Sequence, residues 1–162
     1  MKTNIFKHLA AAALGLLGFA SCEKIGIGLT MYGQPHADFK AVGTVKSEDG
    51  KPIEGIRVAI RRHRYITSAY DGNNTRKDWP EDDTVYTDSR GAYEMSKTVF
   101  EVPDEVTVVF EDVDGFENGG NFGPRTVEPQ VKRTKKGDKN WYSGAFEAQA
   151  DAVMPRAVPD QD

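Results

Sequence analysis

Cysteine is almost absent: the chain has one, Cys22, in 162 residues. No disulfide can form within it, so packing and hydrogen bonding must hold the fold. Histidine is nearly as scarce, with three in all. His8 lies in an apolar N-terminal segment, which leaves His36 and His63 for chemistry. A zinc site wants three or four Cys, His or carboxylate ligands at suitable spacing, and two distant histidines do not supply them. Nucleophilic catalysis needs a nucleophile beside a base that a third group orients, and no such set stands out. Positive charge is not in excess: 21 Lys and Arg face 25 Asp and Glu, a net charge of −4, which argues against a nucleic-acid partner. After Phe19 there is no long apolar run. No later stretch keeps the 3.6-residue apolar period of a helix.

What is present begins with a targeting segment. Lys2 and Lys7 precede the apolar run Leu9 to Phe19, which is shorter than the ~20 residues a membrane span needs. Ala20, Ser21 and Cys22 follow. "FASC" resembles the lipobox of bacterial lipoproteins, with Phe in place of the usual Leu. The resemblance implies cleavage after residue 21 and a diacylglycerol on Cys22, which also accounts for a lone cysteine in an exported chain. A Cys with more than one acyl chain is a stable membrane anchor. Residues 1–21 then form a signal, 22–36 a tether, 37–150 the folded domain and 151–162 a flexible tail. The location is the cell envelope, anchored to the outer or inner membrane and facing the periplasm or the surface.

The domain reads as strands. In "ADFKAVGTVKS" Phe39, Ala41, Gly43 and Val45 alternate with Lys40, Val42, Thr44 and Lys46, the period of a half-buried strand. Asp49-Gly50 supplies a turn, and "IRVAIRRH" resumes the alternation with Ile56, Val58 and Ile60 on one face. Residues 64–83 are dense in turn formers and read as a long surface loop. "TVYTDSRGAYEMS" makes a hairpin with Tyr93 inward, and "EVTVVFEDVDG" places Val106, Val108 and Phe110 on one face. Arg125 to Thr134 and Ser143 to Ala150 give two last strands, with Trp141 and Tyr142 at the core rim. Short strands separated by turns predict an all-β sandwich of about seven strands.

"GTVKSEDGKPIEGIRVAI", "VYTDSRGAYEMS" and "VTVVFED" together resemble the carboxypeptidase-regulatory-like domain. The matching positions are Gly43, Val45, Asp49, Gly50, Pro52, Ile53, Gly55, Val58, Thr87, Asp88, Gly91 and Tyr93, within residues 37–112. The resemblance implies a transthyretin-like Greek-key sandwich that supports, presents or docks. These are turn and core positions, so no catalytic residue comes with them. A narrower resemblance rests on Cys22 to Lys24, Met31 to Pro35 and Asp112 to Phe122, which look like the Bacteroidetes lipoproteins paired with a radical SAM enzyme. It implies a radical SAM maturase as partner.

Several residues are candidates for sites. Asp112, Asp114 and Asn118 offer side-chain oxygens to calcium, but an EF-hand register fails at Gly115 and Gly123. A calcium site of another kind stays open, and a double turn is the stronger reading. Thr84 in "DTV" resembles the Bacteroidetes O-glycosylation sequon. Tyr65, Tyr70 and Trp79 would be the contacts of a carbohydrate- or peptide-binding surface. His63 in "RRHR" reads as a solvated strand end. The basic runs "RRHR" and "VKRTKKGDK" read as edges guarded against strand pairing, with docking to an anionic polysaccharide or lipid headgroups as the alternative. Acids sit mainly in turns, and no catalytic residue or cofactor is expected. The expected function is a lipid-anchored, non-enzymatic module that presents or docks; the alternative is a surface lipoprotein that binds carbohydrate or peptide.

Overall fold

The structure is a computed structural model that describes residues 33–138 and 140–157. The signal and Cys22 lie outside the described residues. Ten strands follow one another: β1 (His36–Ser47), β2 (Arg57–Thr67), β3 (Asn74–Asp78), β4 (Asp83–Tyr86), β5 (Ala92–Val99), β6 (Glu105–Glu111), β7 (Arg125–Val127), β8 (Val131–Lys136), β9 (Tyr142–Gln149) and β10 (Ala152–Met154). No helix occurs among the described residues. In one five-stranded sheet β1 is central. It pairs antiparallel with β5 and parallel with β9 and β10, and β8 flanks β9. In the other, β2 is central. β6 and then β7 lie to one side, while β4 pairs with Arg57–Ile60 and β3 with His63–Thr67. The protein is an all-β sandwich.

The alternation read in the sequence fills the space between the sheets. Phe39, Ala41 and Val45 from β1 are buried with Val58 and Ile60 from β2 and Val106, Val108 and Phe110 from β6. Each large apolar side chain removed from water stabilises by roughly 1.5–3 kcal/mol. Tyr93 points inward as expected. Its ring meets the edge of Phe110 at 5.8 Å between centroids, and its hydroxyl donates to the Ala150 carbonyl at 2.8 Å. Burial pushes that hydroxyl well above the ordinary tyrosine range. Gly43 is required beneath it. A Cβ there would strike the Ala150 carbonyl oxygen and lie 2.9 Å from the Tyr93 ring.

Three boundaries differ from expectation. The count of about seven strands falls short of the ten among the described residues because short strands share partners: β3 and β4 divide β2 between them. Residues 64–83 are no loop. β2 continues to Thr67, turns through Asp71-Gly72, and returns as β3. Every β3 side chain is exposed, so no apolar alternation marked it. The last expected strand pair breaks at Pro129, which has no N–H for a ladder. There the chain crosses from β7 in one sheet to β8 in the other.

The tail expected at 151–162 is also corrected, as far as residue 157. Ala152 and Met154 are buried, and β10 pairs with Val45–Ser47. Two apolar residues spaced by one were too short a signal to register as a strand. Met154→Ala is therefore expected to cost about 2–5 kcal/mol in urea denaturation. An unchanged midpoint would mean that the segment is loose in solution.

Candidate functional site

The strand directions give the sandwich two ends. The chain enters at His36, which sits opposite Tyr142 at the start of β9, while Ala37 sits opposite Val99 at the end of β5. β6 starts at this entry end, because the Asp104 amide bonds the His63 carbonyl close after β5 ends. The β2–β3 hairpin projects there, being the continuation of β2 beyond His63. β6 runs away from it, so the loop after Glu111 and the β1–β10 pairing lie at the far end.

Near the entry end the outward side of β2 carries a polar node in which a buried histidine is covered by exposed partners from β3. His63 is 1% exposed, contrary to a solvated strand end. Its Nδ1 lies 2.7 Å from Asp78 Oδ1, and its Nε2 lies 2.7 Å from Arg76 Nη2 and 2.8 Å from Thr107 Oγ1. A guanidinium has donors only, so Nε2 accepts from Arg76 and the ring hydrogen sits on Nδ1, donating to Asp78. The hydrogen bond from His63, with the charge of Arg76 beside it, holds the Asp78 carboxyl below the usual range. An acid, an imidazole and a hydroxyl in line have the outline of an acyl-transfer relay. Here Arg76 occupies the lone pair that would take the hydroxyl proton, so Thr107 is not activated. Thr107 also lines a cleft of about 370 Å³ with Asp104, Glu105, Glu128 and Gln130. Sequence reading missed this node because its members come from three separate strands. The only signal was His63 itself.

At the far end, the stretch Asp112 to Phe122 is a double turn. Asp112 Oδ1 accepts from the amides of Asp114 (3.2 Å) and Gly115 (3.3 Å), and its Oδ2 accepts from the Phe122 amide at 2.9 Å. Asn118 donates to Asp114 Oδ2 at 2.6 Å and takes a left-handed φ of 49°. Gly55 lies under this pair, and a Cβ there would come 2.7 Å from Asp114 Oδ2. Past β10 the chain returns over the loop. Arg156 donates to the Gly119 carbonyl at 3.2 Å and stacks on buried Phe122. Among the described residues no three His, Cys, Asp or Glu side chains are grouped to hold a metal ion.

The remaining sequence candidates are dispersed. Tyr65 is half exposed on β2, its hydroxyl bonded to Glu105 at 2.9 Å, and that bond raises its pKa. Tyr70 is fully exposed at the tip of the β2–β3 hairpin. Trp79 lies under the Arg62 guanidinium, 5.1 Å from ring centroid to Cζ. Arg62 and Tyr65 are three positions apart on one strand and so face opposite ways. The three aromatics form no common platform. Arg62 in turn lies 3.1 Å from Asp83, which takes Lys97 of the other sheet at 2.6 Å. Thr84 is exposed on β4.

The depressed Asp78 acidity has a stability consequence. A carboxyl held low when folded contributes above its unfolded value of about 3.9 and loses that contribution as pH falls through the folded one. D78N is expected to melt below the wild type near neutral pH, with the gap closing on acidification. A gap independent of pH would show that the Asp78–His63 bond does not exist in solution.

No protein-family model and no curated protein matches the chain. Solved structures do match in fold. Catechol 1,2-dioxygenase from Pseudomonas arvilla C-1 overlays with a TM-score of 0.51 at 12% identity, covering 79% of this chain and 55% of its own. The dioxygenase domain of a dioxygenase carbohydrate-binding protein fusion from Streptomyces sp. SirexAA-E gives 0.48 at 13% identity, covering 76% and 83%. 3-Chlorocatechol 1,2-dioxygenase from Rhodococcus opacus 1CP gives 0.45 at 11% identity, covering 77% and 61%. The chain thus spans less than two thirds of two of these proteins. The expectation that this is no enzyme is overturned in its premise: the Pseudomonas enzyme is built on this sandwich, which is an enzyme fold. At such identity the likeness is one of fold and carries no substrate with it.

Proposed function

We propose that the protein is a cell-envelope lipoprotein, anchored through a diacylglycerol on Cys22, whose sandwich holds a docking surface away from the membrane. The placement of Phe116 supports this most. It is 87% exposed on the far-end loop, opposite the end where the chain enters. Turn hydrogen bonds and the Arg156 strap fix that loop. A large apolar side chain held out on a fixed turn, with Val113 half exposed beside it, suits a protein or peptide partner. The sequence resemblance names a radical SAM maturase as that partner. A carbohydrate site made of Tyr65, Tyr70 and Trp79 has less support, since the three do not converge. Thr84 stands exposed, as an O-glycan would need.

Cys22→Ala is expected to lose metabolic palmitate label and to leave the membrane fraction; unchanged partitioning would refute the anchor. Phe116→Ala is expected to keep the wild-type melting temperature and to weaken, at least tenfold, binding to a radical SAM enzyme encoded beside the gene. Equal affinity would remove Phe116 from the interface, and absence of such a gene would remove that partner. Intact mass of the native protein, with and without Thr84→Ala, tests the glycan.

A further inference from the structure

The entry end of the sandwich bears a second surface of different chemistry. Among the described residues β8 is an edge strand that pairs only with β9. It carries Lys132, Arg133, Lys135 and Lys136, and none of them enters an ion pair among the described residues. Elsewhere most strand cations are paired, among them Lys40 with Glu94, Arg57 with Glu111, Arg61 with Asp82 and Arg64 with Glu101, while Lys46, Lys77 and Arg125 stand singly on three different strands. Charged side chains, lysine above all, guard an edge against strand pairing. On β8 four cations stand on six residues, with Arg133 over the Phe146 ring at 5.0 Å and Lys132 opposite Glu147.

Their position narrows the occupant. β8 runs toward the entry end, where Lys136 sits opposite Gly144 and His36 opposite Tyr142. Lys135 lies 5.5 Å from the Tyr142 ring centroid, and Trp141 beside it is 43% exposed. Phe100, at 59% exposure, and the hairpin tip Tyr70 stand at the same end. Of the nearby acids, Asp38 accepts the Tyr142 hydroxyl at 2.7 Å and Asp138 accepts the amides of Asn140 and Tyr142, while Glu147 sits opposite Lys132. Lysines and an arginine flanked by Trp and Tyr are the composition that settles at a bilayer interface, where cations meet anionic headgroups and amphipathic rings sit among them.

We infer that this end is a membrane-contact surface that takes anionic lipid headgroups. The inference rests on the envelope reading above, in which the tether from Cys22 joins the sandwich at this end, His36 being the first residue of β1. The cations would then fix the sandwich upright, with the Phe116 loop outermost.

The test uses the mature chain with Cys22→Ser, so that no lipid contributes. It is mixed with phosphatidylcholine vesicles, with or without phosphatidylglycerol, and sedimented. Several-fold greater binding to the anionic vesicles is expected, falling as salt rises. Joint reversal of Lys132, Arg133, Lys135 and Lys136 to Glu should abolish it. Reversal of Lys46 and Lys51 at the far end should leave it unchanged, with circular dichroism reporting that each variant is folded. Equal binding to both vesicles overturns the inference, and so does a far-end reversal as damaging as the β8 reversal. Retained anionic binding supports it whether or not Cys22 is acylated in cells, so its failure and that of the anchor are told apart.

Discussion

The Tyr93 hydroxyl bond to the Ala150 carbonyl, made over a bare Gly43, is the contact on which the rest depends. It takes a carbonyl that would otherwise sit unsatisfied in the core at the break between β9 and β10. With the Ala150 amide held by Val42, the chain then steps past Asp151, whose carboxylate accepts from the Thr44 amide and hydroxyl. Only after this step can β10 run beside the end of β1 and bring Arg156 over Phe122. The far-end loop therefore takes its shape from a tyrosine in the middle of the sandwich.

The two ends of the molecule differ in kind. The far end is organised by backbone: turn amides on Asp112, glycines at positive φ, and a returning chain segment. The entry end and the outward side of β2 are organised by side-chain charge, from Arg61–Asp82 to the His63 node. The His63 ring is buried and partnered at both nitrogens, so the node stiffens β3 against β2 and β6. The β2–β3 hairpin, whose side chains are otherwise exposed, needs such a tie.

What could be read in the sequence follows from what leaves a periodic trace. Phe39-Ala41-Val45, Val58-Ile60 and Val106-Val108-Phe110 alternate because one face of each strand meets the other sheet. Asp49-Gly50 and Tyr93 were legible for equally local reasons. β3 was not, because both its faces are solvated; β10 was not, because it is three residues long. The His63 node was not, because Arg76, Asp78 and Thr107 become its neighbours only through pairing of separate strands. The failed inference about enzymatic character has another cause. Turn and core positions specify a scaffold, and a scaffold does not decide whether chemistry is done on it.

The pairing of β1 carries a kinetic consequence. β1 is the first strand, yet its parallel neighbours are the last two, and Thr44 bonds Asp151 across a separation of 107 residues. Contacts between such distant positions must be closed at the cost of loop entropy before any stabilisation follows, which places sandwiches of this kind among the slow folders. Until β9 arrives, β1 has only β5 beside it and keeps an open edge. The core therefore cannot close around β1 until the C-terminal strands are available, and the delay sets when folding can finish.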